Sequence, residues 1–497
     1  MPRLFPSRSI VVRVVISVFL TVSLCLATDE TVVWSGKIAG NVTVPPSTHI
    51  IVSSVCEVAS GTVIQNYGSI TVTNGGGFAP QYGGGATLAI NNMPGGVFEI
   101  AQDENVFWYL RPPMLFTNCA GATLCKTAGT GGNALENLRL DNRGTIAVTS
   151  GELTFVPPGW LREGTEFRGS GRIVFGLPGY YADFFFDREI LINGPTVVNA
   201  AGAAAFVALN EIVRVRTEGA GLFEWRNGGL QGSFEFPSGS HVVVSGGGGL
   251  FDSSRVENHG VWDWVSGFVG IDGDSVLVNK GTFNVMTNTG LMRSPFYSQQ
   301  PAFTNDGVIN LLRAGSRFNC IAQSPGGFQT TFTPNSVINV NMESETPNQF
   351  PQLDASRALL DLGGRLSVTV APETSLTNGT SFVLAQYALS TNEFISVDLP
   401  PLAFPLTWRI DYGARFQSRV TLKIEQQIWR LTAPQRDVFG TLSFGCTGPA
   451  AGYCIFQTSS NLTEWRPIST NSPFTGSALF QEEMTEAGRF YRAMLFP

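Results

Sequence analysis

The ten residues NHGVWDWVSG, Asn258 to Gly267, place an Asn-His-Gly corner ahead of an alternating run. Asparagine and glycine both tolerate left-handed backbone geometry, so we expect Asn-x-Gly to permit a sharp corner. The alternation after the corner is typical of a strand with one buried and one solvated face. The same phrase returns as NYGSITV, NRGTIAV, NKGTFNV and NDGVINL, which begin at Asn66, Asn142, Asn279 and Asn305.

The spacing of these phrases predicts a solenoid. The clearest ones are separated by 31, 21, 26 and 30 residues and begin at Asn227, Asn258, Asn279, Asn305 and Asn335. Such intervals suit one turn of a coil whose loops vary in length around a constant strand frame. Stacked coils would let the corner asparagines ladder their amides, so we predict an all-β, right-handed parallel β-helix. An antiparallel sandwich or propeller is the alternative, because such phrases also start hairpins.

The composition agrees with strands and tight turns. Of 497 residues only 14% are charged, while glycine reaches 56 and phenylalanine 36. Long polar helices need more Glu, Lys and Arg than this. The Ala-rich stretch from Val197 to Val213 is the one candidate for a short helix, although Gly202 and its β-branched ends weaken that prediction. An apolar fraction of 43% excludes a disordered chain.

The N-terminus predicts export. VVISVFLTVSLCLA, Val14 to Ala27, is an apolar h-region, and it follows three basic residues, Arg3, Arg8 and Arg13. We therefore expect residues 1–27 to be a signal peptide cut before Thr28. A retained anchor is the alternative, although 14 apolar residues are short for a bilayer span. No later stretch resembles a transmembrane segment, so the mature protein is expected outside the cell, on its surface or in the periplasm.

Charge and histidine content argue against nucleic acid as a partner and against a zinc site. Cleavage removes three of the 31 basic residues, which leaves 28 against 38 acidic ones. Nucleic acid rewards clustered Lys and Arg, so it is not an expected partner. A zinc site is also disfavoured, because the three histidines have no ligand spacing to a cysteine. We expect no cofactor.

Six cysteines remain after cleavage, and two local disulfides are expected in an oxidising compartment. These are Cys119 with Cys125 and Cys446 with Cys454, because each pair encloses a glycine-containing turn. The pairing of Cys56 and Cys320 cannot be read. Residues 101–135, which contain the first pair, are expected to form a long excursion from the solenoid frame.

The chain changes character near residue 351. Four phrases resemble the segment that closes the β-helical arrays of autotransporter-like and other bacterial secreted proteins; they span Gly364 to Leu366, Asn378 to Leu384, Phe394 to Val397 and Val420 to Ile424. The resemblance implies a cap over the last, otherwise unpaired, strands of the stack.

The last 72 residues resemble another module. Cys454 to Trp465 (CIFQTSSNLTEW) and Gly488 to Ala493 (GRFYRA) are similar to a small β-sandwich found at the C-terminus of many secreted bacterial proteins. The predicted organisation is a signal peptide (1–27), a solenoid array (28–350), a capping segment (351–425) and a β-sandwich (426–497).

Candidate chemistry is sparse. Asp183 and Asp187, followed by Arg188, could serve proton transfer on a sugar, as in polysaccharide lyases or hydrolases. However, residues four apart on a strand lie about 13 Å from each other. The alternative is a solvated strand edge with Phe184 and Phe186 turned inward. Asp272 and Asp274 faintly resemble a calcium loop but lack its further acidic ligands.

Aromatic residues are the candidates for ligand binding. Trp262 and Trp264 share one strand face and could stack on sugar rings if exposed, whereas inside a coil they would fill the core. The other aromatic candidates are Phe107, Trp108 and Tyr109. We therefore predict a structural or adhesive protein without turnover, whose partners are extracellular polysaccharides or other surface proteins. A pectate-lyase-like enzyme and a non-catalytic glycan-binding protein are the alternatives.

Overall fold

The computed structural model describes most of the chain. The described residues are 11–12, 30–80, 87–108, 114–136, 138–156, 158–177, 183–200, 205–209, 211–293, 300–322, 327–343, 350–372, 374, 376–403, 406–428, 430–448, 452–483 and 488–496. They contain strands and turns and no helix. The signal peptide prediction falls almost entirely outside this part of the chain, and so does Tyr109.

The strands stack in parallel to form three long sheets, A, B and C, which the chain visits in that order once per coil. Sheet A contains β1 (Val11–Val12), the first half of β2 (Thr31–Ile38), the first half of β4 (His49–Val58), β6 (Ser69–Val72), β9 (Val97–Ile100), β11 (Thr123–Lys126), β14 (Thr145–Val148), β17 (Thr165–Arg168), β20 (Glu189–Asn193), β23 (Val213–Glu218), the ends of β24 (Leu222–Phe236) and β25 (His241–Asn258), β28 (Val276–Asn279), β31 (Ala302–Asn305), β34 (Gln329–Phe332), and the ends of β36 (Gln352–Asp361) and β38 (Ser381–Ser390).

Sheets B and C are built in the same way. Sheet B contains the second halves of β2 and β4, β7 (Gly77–Pro80), β12 (Gly132–Leu135), β15 (Glu152–Phe155), β18 (Arg172–Phe175), β21 (Val197–Ala200), the starts of β24 and β25, β26 (Val261–Trp264), β29 (Thr282–Val285), β32 (Val308–Leu311), β35 (Val337–Met342), β37 (Arg365–Val370) and β39 (Ser396–Asp398). Sheet C contains β3 (Asn41–Val44), β5 (Thr62–Asn66), β8 (Leu88–Asn92), β10 (Met114–Asn118), β13 (Leu138–Asn142), β16 (Gly159–Leu161), β19 (Asp183–Phe186), β22 (Ala205–Ala208), the middles of β24 and β25, β27 (Phe268–Ile271), β30 (Asn288–Arg293), β33 (Arg317–Ile321), the start of β36 and the middle of β38.

The predicted parallel β-solenoid is confirmed by these pairings, and the predicted asparagine ladder is present. Asn258 donates from Nδ2 to Oδ1 of Asn279 over 2.8 Å, and Asn279 donates in the same way to Asn305 over 2.7 Å. All three side chains are fully buried. A second ladder runs through Asn66, Asn92, Asn118 and Asn142, with amide-to-amide distances of 2.8, 2.9 and 2.7 Å.

The two ladders lie at different corners of the coil. The asparagines of the first ladder, such as Asn279, end strands of sheet A and lead into sheet B. Those of the second ladder, such as Asn118, end strands of sheet C and lead into sheet A. The same sequence phrase therefore marks two structurally different corners, because each needs a buried amide that satisfies its neighbours one coil up and down.

The glycines of the Asn-x-Gly corners are not needed for left-handed backbone geometry, which was the expected reason. Gly281 and Gly307 lie outside the left-handed region. A Cβ atom on Gly281 would lie 2.1 Å from the carbonyl oxygen of Gly260, and one on Gly307 would lie 2.2 Å from that of Gly281. Because these contacts are shorter than any side chain tolerates, glycine is required at this corner by the close stacking of coils.

One hydrophobic core fills the stack from Val32 to Ile424. The expected helix within Val197 to Val213 is wrong, because its described residues form β21 and β22 in register with their neighbours. The expected excursion over 101–135 is also wrong for its described C-terminal half. There β10, β11 and β12 form an ordinary coil.

The C-terminal part of the chain leaves the parallel pattern. β41 (Phe416–Gln426) pairs antiparallel with β38, and β40 (Leu406–Asp411) pairs antiparallel with β41, which closes sheet C. A small module with its own core follows. Its two antiparallel sheets contain β42 (Arg430–Leu431), β43 (Gln435–Arg436), β44 (Thr441–Thr447) and β47 (Ser477–Glu483) in one, and β45 (Tyr453–Ser459), β46 (Arg466–Asn471) and β48 (Phe490–Phe496) in the other.

Candidate functional site

The outer face of sheet C carries an aromatic pair that the sequence analysis did not select. Trp160 on β16 and Phe185 on β19 are adjacent in register, and both are half-buried. Their ring centroids lie 5.5 Å apart with an angle of 22° between the planes. The inward neighbours Leu161 and Phe184 are fully buried, so strand alternation turns Trp160 and Phe185 outward.

Two arginines complete this cluster, which we call the sheet C stack. The guanidinium carbon of Arg139 lies 4.4 Å from the centroid of Trp160, and that of Arg162 lies 5.9 Å away. Arg162 also donates from Nε to Oδ1 of Asp141 over 3.2 Å. Such cation–π contacts contribute about 0.5–1 kcal/mol at exposed sites. Since Arg139 and Phe185 come from the coils on either side of Trp160, they occupy its two ring faces and leave its edge towards solvent.

The candidate carboxylates lie close to the stack but do not converge. Asp183 is exposed at the first residue of β19, and Asp187 follows the last residue of this strand. The strand rise separates them by about 13 Å, beyond the carboxyl separations of about 5–9.5 Å used in glycoside hydrolysis. Arg188 is bound elsewhere, at 3.4 Å from Glu163 and 3.3 Å from Glu211. The solvated-edge interpretation fits this geometry, since Phe184 and Phe186 point inward.

The ligand-binding prediction for Trp262 and Trp264 is wrong. Both side chains have no exposed surface, whereas Val261 and Val265 on the opposite face are 38% and 39% exposed. Trp262 stacks on Phe283 of the next coil with centroids 5.2 Å apart. The rings therefore fill the core, as in the alternative considered above, and no sugar can reach them.

The residues of the second aromatic candidate, Phe107, Trp108 and Tyr109, do not share one environment. Phe107 is 7% exposed and stacks on Phe78 and Phe98, so it also belongs to the core. Trp108 is half-buried beside Phe107. Its indole Nε1 has no exposed surface, so this nitrogen cannot donate a hydrogen bond to a ligand. Tyr109 lies outside the described residues.

The acidic turn does not assemble a calcium site. Asp272 is buried at the start of the turn between β27 and β28, and its carbonyl accepts from the amide of Ser275. Asp274 is exposed. Among the described residues, no three His, Cys, Asp or Glu side chains gather as a metal would require.

All six cysteines of the predicted mature chain are free thiols in the structure. Cys119 lies at the corner before β11, while Cys125 lies within β11, about 7 Å beyond the start of that strand. The strand carries the two residues apart, so the predicted Cys119–Cys125 disulfide is not formed. Cys446 and Cys454 are different, because they are buried with their side chains in hydrogen-bond contact. Their disulfide stays a prediction.

A buried cation is a further feature that sequence reasoning missed. Lys126 has no exposed surface, and its Nζ donates to the carbonyl oxygens of Gln102 and Ala128 and to side-chain oxygens of Asp103 and Asn133, over 2.7–2.9 Å. This hydrogen bond from Lys126 lowers the pKa of Asp103. The only sequence signal for this buried lysine is strand alternation. Lys126 lies two residues after the inward Leu124 on the same strand, so it also points inward.

Comparison with known proteins finds similarity to solved structures. No family model and no curated protein matches the chain. Among solved structures, the chain is similar to the TibC-catalyzed hyper-glycosylated TibA55-350 fragment, at 11% identity and a TM-score of 0.18. The match covers 69% of this chain and 98% of that fragment.

The strand pairings therefore define the class of protein, which is a parallel β-solenoid with a small C-terminal β module. In the described part of the chain, no helix has the length and apolarity needed to cross a membrane.

Proposed function

We propose that the protein is an exported adhesive scaffold that binds another surface protein through the outer face of sheet C and turns over no substrate. The observation that carries this proposal is the sheet C stack, in which Trp160, Phe185 and Arg139 are presented on a regular parallel sheet. Tryptophan and arginine dominate the energetic centres of protein interfaces.

The arrangement of polar groups supports binding over catalysis. On the outer face of sheet B, Asn284, Asn310 and Asn339 donate in turn to the preceding coil over 2.7–2.8 Å, starting from Asp263. These groups satisfy one another along the axis and do not converge on a common point. A catalytic site would need acid and base groups within reach of one substrate atom.

A protein partner fits the stack better than a sugar does. Stacking of a sugar ring needs an open aromatic face, and both faces of Trp160 are covered by Arg139 and Phe185. The exposed ring edge and the guanidinium groups can instead pack against, and donate to, a protein surface. Glycan binding at this stack is therefore disfavoured.

The proposal is tested by adhesion of coated beads. Beads carrying residues 28–497 are measured for retention on cells and on immobilised extracellular proteins, with and without Trp160→Ala. Removal of an interface tryptophan is expected to lower the affinity about tenfold or more. Phe439→Ala is the matched control, because Phe439 is an aromatic residue of the C-terminal module that is 89% exposed.

Two results would contradict the proposal. One is equal loss of retention in Trp160→Ala and Phe439→Ala, which would place adhesion outside the sheet C stack. The other is release of reducing ends when the same chain is incubated with polysaccharides, which would point to an enzyme and return attention to Asp183 and Asp187.

A further inference from the structure

Lys126 occupies a buried position of sheet A that is aliphatic in the coils on either side. Its neighbours in register, Ile100 and Val148, have no exposed surface. Asn133 occupies a similar position in sheet B, where the next residue in register is the fully buried Leu153. Burial of a charge is costly unless the charge is paired and hydrogen-bonded. One coil therefore places two polar side chains in contact at its corner, where the next coil has aliphatic ones.

The Nζ atom of Lys126 has more acceptors than protons. Four oxygen atoms lie 2.7–2.9 Å from it, namely the carbonyl oxygens of Gln102 and Ala128 and the Oδ1 atoms of Asp103 and Asn133. A lysine ammonium has three N–H donors. When each backbone carbonyl keeps one proton, a single N–H position faces both Asp103 and Asn133. Transfer of that proton to Asp103 would leave the nitrogen lone pair directed towards the side-chain carbonyl of Asn133.

The side-chain amide of Asn133 is held within reach of this nitrogen. A carbonyl bond is about 1.23 Å long, so the Cγ atom of Asn133 lies within about 3.9 Å of Nζ of Lys126. Productive encounters place reacting atoms about 3–3.5 Å apart. Nδ2 of Asn133 donates to the carbonyl oxygen of Glu104 over 2.6 Å, which fixes the orientation of the amide. Asn133 is 1% exposed, so water is kept from the same carbon.

Asp103 is placed to act as the base. It follows β9, in the coil before Lys126, and its Oδ2 accepts from the amide of Gly131 over 3.1 Å. The hydrogen bond from Lys126 is the main cause that lowers the pKa of Asp103, so this side chain is a carboxylate at neutral pH. A base must lie within hydrogen-bond reach of the proton that it takes, and Asp103 meets this condition at 2.8 Å. Its side chain is 41% exposed, which gives a small leaving group a path to solvent.

We propose that Lys126 and Asn133 form an intramolecular isopeptide bond, with Asp103 as the base. Nζ of Lys126 bonds to Cγ of Asn133, and the bond from Cγ to Nδ2 breaks. The two protons that Nζ loses, one of them through Asp103, go to Nδ2, which leaves as an ammonium ion. A lysine ammonium and a primary amide thus become a secondary amide and free ammonium, and nothing is oxidised or reduced. The bond would tie sheet A to sheet B across the loop between β11 and β12, and it is independent of the proposed adhesive function.

Intact-mass spectrometry of the purified protein, reduced and denatured and with its N-terminus determined, tests the proposal. The mass is expected to be lower than that of the sequence by one ammonia, and trypsin should not cleave after Lys126, whose side chain would be acylated. Asn133→Ala should show its full sequence mass and regain this cleavage. Asp103→Asn should slow the reaction by about a hundredfold or more, because proton transfer by a positioned side chain contributes about 10²–10⁴. Glu104→Gln is the matched control, since Glu104 is exposed and contacts Asn133 through its backbone carbonyl.

Four results would overturn the proposal. A full sequence mass with cleavage after Lys126 would mean that the four oxygens hold an unreacted ammonium. Loss of one water in place of ammonia would identify Asp103 as the linked residue. Loss of ammonia that persists in Asn133→Ala would place the reaction at another amide, and an unchanged rate in Asp103→Asn would exclude this carboxylate as the base. Circular dichroism shows whether each variant folds, and the mass of the wild type decides the proposal even where a variant does not.

Discussion

Single asparagines explain how a polar phrase can be repeated inside a hydrophobic coil. A primary amide offers a donor and an acceptor, so each buried asparagine binds the next one and leaves no polar group unsatisfied. The first asparagine of the second ladder, Asn66, is an exception to this rule. Val44 precedes Asn66 in register, and the Oδ1 atom of Asn66 has no partner among the described residues.

Asn279→Ala is expected to lower the free energy of unfolding by about 2–4 kcal/mol. The substitution removes the acceptor of Asn258 and the donor to Asn305 and Val308, so buried groups lose partners in two coils. The measurement is the urea midpoint followed by circular dichroism. Asn335→Ala is the control, because exposed Asn335 makes one bond of 3.2 Å to Asp306, and its effect should stay below about 0.5 kcal/mol. Equal effects of the two variants would contradict the ladder's role.

Individual strands take their conformation from the strands above and below them. The Ala-rich stretch at Val197 has local features of a helix, yet β21 lies between β18 and β24 in full register. Backbone hydrogen bonds to two neighbouring coils outweigh an intrinsic preference worth only tenths of a kcal/mol per residue. Ion pairs join coils in the same way, as between Glu257 on β25 and Lys280 after β28.

This coil-to-coil ion pair should make stability depend on pH. The hydrogen bond from Lys280 is the main cause that lowers the pKa of Glu257 to about 2. Because the pKa is lower in the folded state, the stabilisation is complete above the unfolded pKa of about 4.5 and is lost as pH falls towards 2. The stability difference between the wild type and Glu257→Gln is therefore expected to be about 1–2 kcal/mol at pH 7 and to vanish near pH 2.

Thermal unfolding of both proteins from pH 7 to pH 2 measures this difference. Glu464→Gln serves as the control, since Glu464 is exposed in the C-terminal module. A difference that stays constant across the range would mean that Glu257 acts through packing and not through its charge.

The described residues of the chain form two hydrophobic cores. The solenoid core continues through the capping strands to Ile424, and the C-terminal module has its own core around Phe444, Phe456 and Phe480. A solenoid is stabilised by contacts between neighbouring coils, whereas a small β module buries little apolar surface. The module is therefore the part of the molecule in which a covalent link would add most.

We expect Cys446 and Cys454 to form a disulfide after oxidative refolding. They lie on β44 and β45, in different sheets of the module, so the bond would link the sheets. Burial raises the pKa of Cys454 to about 12, so the thiolate is scarce at neutral pH and oxidation should be slow without a catalyst. For so short a loop the stabilisation is about 2–3 kcal/mol. Mass spectrometry after alkylation checks it, with Cys119 and Cys125 expected to be alkylated; modification of all six thiols would contradict the pairing.

Local patterns in the chain were sufficient to predict the fold class, the parallel stacking and the asparagine ladder. Alternation and the repeated Asn-x-Gly phrase are short-range features, and each coil can repeat them without reference to distant residues. The inward orientation of Phe184 and Phe186 followed from the same rule. Applied to Trp160, the rule would also have identified an outward tryptophan.

Side-chain contacts between different coils could not be predicted from the sequence, because they depend on the register in which the coils stack. Strand alternation allowed either face of β26 to be buried, and only the stacked Phe283 places Trp262 and Trp264 in the core. The contact of Trp160 with Arg139 and Phe185 depends on loops of unequal length that bring three coils into register. The antiparallel pairing of β41 with β38 and of β40 with β41 joins distant parts of the chain, and long-range pairing of this kind leaves no periodic signal in the sequence.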